Sequence, residues 1–227
     1  MTVVAIMPVR DGAAYLAEAL DSIAAQTRPP DEVLVVDDGS ADDGPAIAAG
    51  HPLRPRVVRQ PARGTAAARN RGVRESRADL IAFLDADDLW LPQHLAVLSS
   101  ALAAAPEAAI AFGHIEQFAS PELGADAAAR MIVPTGAQPG FSTQAMLARR
   151  TVFETVGPFD EGIRAGYFID WFMRGQERGL RHFLVPEVVA RRRHHAGNIG
   201  RIRPDYRADY LRVVRAALQR RRTGAVS

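Results

Sequence analysis

The chain predicts an α/β protein on a mostly parallel, doubly wound sheet with helices on both faces, and three observations carry that prediction. Short apolar, β-branched runs alternate through the first half with segments whose apolar residues recur at helical spacing. Those strands are apolar on both faces, so each side of the sheet needs a covering layer of helices. A length of 227 residues at 48% hydrophobic composition gives material for one sizeable core.

In chain order, TVVAIMPV (2–9) reads as a buried strand and AAYLAEALDSIAAQT (13–27) as the helix after it. EVLVVDD (32–38) is a second strand, ADDGPAIAAG (41–50) a short helix, PRVVRQ (55–60) a third strand and GTAAARNRGVRES (64–76) the next helix. ADLIAFLDA (78–86) closes this βαβ series as a strand, and PQHLAVLSSALAAA (92–105) follows as a helix opened by Pro92. Beyond it, AAIAFGHIEQF (108–118) reads as a strand, and residues 119–140 as a long loop of the kind that forms lids. FSTQAMLARRTVFETVG (141–157) is a strand running into a short helix, and YFIDWFMRGQERG (167–179) an amphipathic helix. LRHFLVPEVVARRR (180–193) reads as two short strands around Pro186, and RPDYRADYLRVVRAALQRRR (203–222) as a terminal helix.

Composition narrows the chemistry. The chain has no Cys, which excludes disulfides, zinc–thiolate sites and a thiol nucleophile. No apolar run approaches the roughly 18 to 20 residues of a membrane span, and MTVVAIMPVR lacks the order of a signal peptide, so a cytoplasmic location is expected. All 28 basic residues are Arg, and they are unevenly placed: residues 1–190 carry a net charge of −7, residues 191–227 one of +9. The tail therefore suits peripheral contact with anionic lipid at the inner membrane face, a partner, closure over a phosphate-bearing ligand, packing in a homodimer, or simply a solvated helix face. Nucleic-acid binding is not expected, because it gives the acids of the body no role.

Those acids sit at strand ends. Asp37 and Asp38 close one strand, and Asp85, Asp87 and Asp88 follow another, positions that face one crevice in a doubly wound sheet. Adjacent carboxylates repel unless a cation, a set of donors or water compensates them. A hard ion such as Mn²⁺ or Mg²⁺, which takes oxygen ligands and bridges carboxylates to a diphosphate, is one such compensation. Asp88 equally suits a helix N-terminus ahead of Pro92, and Gly39 and Ser40 form a turn and cap after Asp38.

PVRDGAAYLAEALDSIAAQTRPPDEVLVVDDGSADD, GTAAARNRGV and IAFLDADD, followed by LARRTVFETVGPFDE, FIDWFMR and RRHHAGN, resemble the family 2 glycosyltransferases of the GT-A fold, in the family's order over roughly residues 2 to 200. The resemblance implies a GT-A domain over 1–200, with a nucleotide-sugar half (1–113) and an acceptor half (114–200), and a basic helix at 201–227. It implies an inverting transfer from a nucleoside-diphospho-sugar, a UDP-sugar being favoured because uracil N3–H suits a carboxylate acceptor. The acceptor stays open among glycan, lipid carrier, small molecule and peptide. Pro8, Val9, Arg10, Asp37, Asp38, Arg69, Asp85, Ala86 and Asp87 fall at the family's donor-binding positions. Asp87 and His195 fall where a divalent metal, Mn²⁺ or Mg²⁺, is held. Asp170 matches the general base, on a helix where burial would favour proton uptake. Arg10-Asp11 stands where Tyr-Asn is common, and Ile169 where a Glu is common. His194 and His195 are adjacent and would face opposite ways in a strand, so at most one of them is expected to reach the site. Arg191 to Arg193 could neutralise diphosphate, Asn70 is expected to be a packing or loop-fixing polar group, and Trp171 and Phe172, which could form a sugar platform, are expected to pack in the core. Two other readings remain: a catalytically inactive nucleotide-sugar-binding module, and a sugar-1-phosphate nucleotidyltransferase, whose Gly-rich loop and Lys this chain lacks.

Overall fold

The computed structural model describes residues 1–124, 133–198 and 206–224; the middle of the expected loop at 119–140 and residues 199–205 of the tail lie outside them. A nine-stranded mixed sheet forms the centre. Its strands are β1 (Val3–Val9), β2 (Glu32–Asp37), β3 (Arg56–Arg59), β4 (Leu80–Phe83), β5 (Leu89–Trp90), β6 (Ile110–Ala119), β7 (Gln138–Pro139), β8 (Met146–Arg149) and β9 (His182–His194). The order across the sheet is β3-β2-β1-β4-β8-β6-β9-β5, with β7 added at β6. The helices among the described residues are α1 (Ala13–Ala24), α2 (Gly44–Gly50), α3 (Thr65–Glu75), α4 (His94–Ala104), α5 (Thr151–Val156), α6 (Tyr167–Glu177) and α7 (Tyr206–Gly224).

Every residue of β1 is buried, because parallel neighbours β2 and β4 flank it and helices cover both faces. Its side chains alternate between two cores. Val3, Ala5, Met7 and Val9 join Leu16, Leu20 and Ile23 of α1 and Leu95, Leu98 and Leu102 of α4. Val4 and Ile6 join Ala66 and Ala68 of α3 on the other face, with Phe83, Phe112 and Trp171. Helix α3 lies so close to the sheet that a Cβ at Gly72 would stand 2.3 Å from Ile6 Cγ2.

β8 runs antiparallel to β4 and β6, whereas β6 and β9 are parallel. The carboxyl ends of β1, β2, β4, β6 and β9 and the start of β8 therefore share one edge, where ligands of such sheets bind. Two expectations change here. LRHFLVPEVVARRR falls in one 13-residue strand, His182–His194, not two around Pro186. Partner positions jump from Leu184 opposite Phe112 to Val188 opposite His114, so Pro186 sits in a bulge that needs no N–H from it. In addition, Leu89–Trp90 emerges from the acid turn as β5, pairing antiparallel with Arg191 and Ala190.

Candidate active site

The site is assembled from the turn after β4. The Asp88 N–H donates to the Asp85 carbonyl at 3.1 Å, and this tight turn fans its three carboxylates to different partners. Asp85 meets the guanidinium of Arg69. Asp87 accepts from His195 Nε2 at 3.0 Å and from the Asn198 amide at 3.2 Å. Asp88 is buried and turns back to accept the Arg193 backbone N–H at 2.9 Å, bracing the turn against β9. Desolvation raises Asp85 above the usual carboxylate range, with Arg69 opposing it. Asp88 is pushed well above that range by burial and by repulsion from Asp87 and Asp85. Burial thus makes both carboxyls readier to take up a proton than an exposed acid.

The end of β9 decides which histidine reaches the acids. His194 Nε2 meets Gln117 at 2.7 Å, while His195, one position on, faces Asp87 and packs 4.7 Å from the Tyr15 ring. Asn198 brackets the pair, its Oδ1 accepting the His195 backbone N–H at 2.6 Å while its amide reaches Asp87. Arg193 donates Nε to the Asp87 carbonyl at 3.0 Å, pairs with Glu18, and lies over the Tyr15 and Phe118 rings. Arg191 stacks on Phe118 and Arg192 is exposed. Asp87 and His195, a carboxylate and an imidazole converging at a strand end, are the residues that could hold a divalent ion such as Mn²⁺ or Mg²⁺. Among the described residues, no three His, Asp or Glu are grouped to hold an ion unaided.

Arg69, projecting from α3, is 1% exposed. It contacts Asp85 and the Tyr167 hydroxyl, and donates to Thr143 Oγ1 at 3.0 Å. Burial lowers its pKa, and Asp85, Asp88 and Asp87 oppose that shift. Arg69 thus links β4, the turn before β8 and the start of α6. Asn70 fixes a loop, exchanging hydrogen bonds of 2.9 Å with both backbone groups of Phe159.

The other expected donor residues lie on the same edge with their polar groups largely engaged. Asp37 is fully buried and accepts from Ser40 N and Arg59 Nε. Asp38 accepts from Gln60 Nε2, Arg63 N and Gly64 N at 2.7 to 2.8 Å, so it holds the loop after β3 instead of presenting an open carboxylate. Pro8 and Val9 are backbone of buried β1, with the Val9 carbonyl taken by Asp38 N. Arg10 is exposed and loosely paired with Asp11 at 3.9 Å. Ala86 packs beside Gly12, where an added Cβ would stand 3.3 Å away.

Asp170 bonds none of the side chains of this cluster. It is buried on α6, bound by Arg174 at 2.8 Å and Arg220 at 3.3 Å, and lines a surface cleft of about 450 Å³ with Pro158, Ile163, Arg212 and Val213. The α6 side chain that meets the cluster is Tyr167. Trp171 is core, donating Nε1 to the Gly157 carbonyl. Tyr15, Thr143 and Tyr167 were not singled out from sequence, since none belongs to a charged motif; Asn198 carried a signal in its His-x-x-Asn spacing.

An open α/β sheet with acids at its strand ends and a carboxylate–imidazole contact beside them is an architecture that binds ligands at the carboxyl ends of its strands. The Glycosyl transferase family 2 profile matches residues 4–165, and the chain belongs to that family. It is 30% identical over 202 residues to glycosyltransferase AglE of Haloferax volcanii, covering 81% of this chain and 64% of that protein. It is 32% identical over 200 residues to the succinoglycan biosynthesis protein ExoU of Rhizobium meliloti, covering 79% and 58%. Over 86 residues it is 44% identical to ExoW of the same organism, but that match spans only 35% of this chain and 27% of ExoW. The chain thus spans less than two thirds of these relatives. Among solved structures, S. aureus TarS 1-349 in complex with UDP-GlcNAc superimposes with a TM-score of 0.75 at 18% identity, over 96% of this chain and 65% of that one. The mannosyltransferase PcManGT of Pyrobaculum calidifontis, in complex with GDP-Man and Mn²⁺, gives 0.65 at 23%, over 86% and 58%. These likenesses show a shared GT-A-type fold.

Proposed function

We propose that the chain moves a sugar, with inversion, from a nucleoside-diphospho-sugar to an acceptor nucleophile, with a UDP-sugar as the favoured donor. The observation that carries this is the meeting of Asp87 with His195 and Asn198 at the shared strand edge. Asp87 and His195 would hold Mn²⁺ or Mg²⁺, which when bound neutralises charge on the leaving diphosphate. Asn198 keeps both ligands in place, Arg193 fixes the turn from behind, and exposed Arg192 adds positive charge near Asp85 and Asp88. Arg69 fixes Asp85 toward the ribose side. Asp37 and Asp38 shape the wall for base and ribose by tying Ser40 and the loop at 60–64. The acceptor attacks the anomeric carbon, the bond to the diphosphate oxygen breaks, and a base takes the acceptor proton. That base is assigned to Asp170, which stands on α6 about one turn from Tyr167, the residue that meets the acid cluster through Arg69. A specific observation favours a second α6 residue at the reacting edge, since Tyr167 touches the acid cluster through Arg69.

The test is thermal unfolding with UDP, GDP, CDP or dTDP, each with and without Mn²⁺. One nucleotide near 100 times its Kd should stabilise by about 2.7 kcal/mol, a rise of roughly 5 to 10 °C for a chain of this size. The rise should need metal and vanish in Asp87→Ala. No response to any nucleotide would defeat the proposal, and binding without donor turnover would point to an inactive binding module.

A further inference from the structure

Helix α7 carries two apolar stripes, and the sheet domain uses one. Val213 and Ala217 are buried, Asp209 accepts the Arg164 and Ala165 backbone N–H groups at 3.1 and 3.2 Å, and Arg220 pairs with Glu177 at 2.7 Å. The second stripe is open: Tyr210, Leu211, Val214 and Leu218 are 48%, 58%, 48% and 52% exposed. They are four of the seven large hydrophobic residues exposed among those described, and helical geometry gathers them within about 100° of arc.

The charges around this stripe identify its occupant. The sequence of α7, Tyr206–Gly224, holds six Arg against one Asp, and no acid follows Asp209 in the helix. Asp209 itself is turned inward to the loop before α6 and holds Arg212, whereas Arg215 is exposed beside the stripe. An apolar stripe of Tyr, Leu and Val bordered by arginines is the composition of a helix lying in a lipid interface, with rings and alkyl groups below the headgroups and guanidiniums among phosphates. A second copy fits less well, because a two-fold contact would press two arginine-bordered faces together.

We propose that this face of α7 docks on an anionic phospholipid surface. Its position gives the docking a consequence. The Tyr210 ring lies against Gly166, where a Cβ would stand 3.1 Å from it, and Gly166 precedes Tyr167, whose hydroxyl meets Arg69. Lipid contact at Tyr210 therefore sets the α6 edge of the site beside the bilayer, where an acceptor carried on a lipid would be presented.

The purified chain is floated with vesicles of phosphatidylcholine containing about one-third phosphatidylglycerol, and with phosphatidylcholine alone, at low and high salt. Flotation with the anionic vesicles at low salt is expected, falling at least about tenfold on neutral lipid or in high salt. Val214→Asp with Leu218→Asp should abolish it without changing the unfolding midpoint or the nucleotide-induced shift, so that this proposal and the donor site fail separately. Equal flotation on neutral vesicles, or flotation untouched by the double variant, would overturn the proposal. So would absence of flotation, and a dimer in sedimentation velocity that the double variant disperses would name a second copy as occupant.

Discussion

At the scale of single residues, the contacts of α6 separate two candidates for proton transfer. Asp170 is buried but holds two guanidiniums, whereas Tyr167 reaches the acid cluster without a charge of its own. If Asp170 is the base, Asp170→Asn should lower transfer about 100-fold or more at unchanged nucleotide affinity, and Tyr167→Phe should change KM more than kcat. If Asp170 is an anchor for α6 and α7, Asp170→Asn should lower the unfolding midpoint and leave kcat near that of the parent. Steady-state kinetics beside thermal unfolding distinguishes the two. The alternation of a strand made it legible that only one of His194 and His195 would reach the acids, and the structure gives that place to His195. That Asp38 would be consumed by Gln60, Arg63 and Gly64 was not legible, because those donors come from a loop whose path depends on how β3 joins the sheet.

At the scale of elements, β9 joins the far end of the sequence to the acid turn, and α4 is fastened to it by a buried histidine. His94 stacks on Trp90 with ring centroids 4.2 Å apart and lies 3.2 Å from the Val189 carbonyl. Burial lowers its pKa from 6.5 to about 3. The unfolded chain therefore takes up this proton below pH 6.5 while the native protein does not, so the stability it contributes is complete above that pH and is lost as pH falls toward about 3. Between pH 6.5 and 5 the loss should be about 2 kcal/mol from this residue. In denaturant titrations at the two pH values, His94→Phe should shrink the difference by about that amount. An unchanged difference would mean that other groups carry the acid sensitivity. The βαβ series was legible because strand and helix periods alternate cleanly through Ala104. The single β9 was not: Pro186 reads as a break in one dimension, and only pairing with β6 shows that a bulge accommodates it.

At the scale of the whole molecule, the expected nucleotide and acceptor halves share one sheet, and each depends on the other for its site. Asp87 and Asp88 come from the first half, while His195, Asn198 and the Arg193 backbone that hold them come from the second. β6 and β9 lie between β8 and β5, so neither half owns a complete set of strand neighbours. Unfolding should therefore be one cooperative transition. The two tryptophans suit a direct test, because Trp90 belongs to the core on one face of the sheet and Trp171 to the core on the other. In Trp90→Phe the remaining fluorescence reports the α6 side, and in Trp171→Phe the α1 and α4 side. Each variant will be less stable than the parent, since each removes a buried indole hydrogen bond, to Gln144 or Gly157 respectively. Within each variant, fluorescence and far-ultraviolet circular dichroism should nevertheless share one midpoint, and nucleotide with Mn²⁺ should displace both signals equally. Divergent midpoints would show that the two faces come apart independently, and that the acid turn can lose His195 and Asn198 while the parallel strands beneath it stay folded.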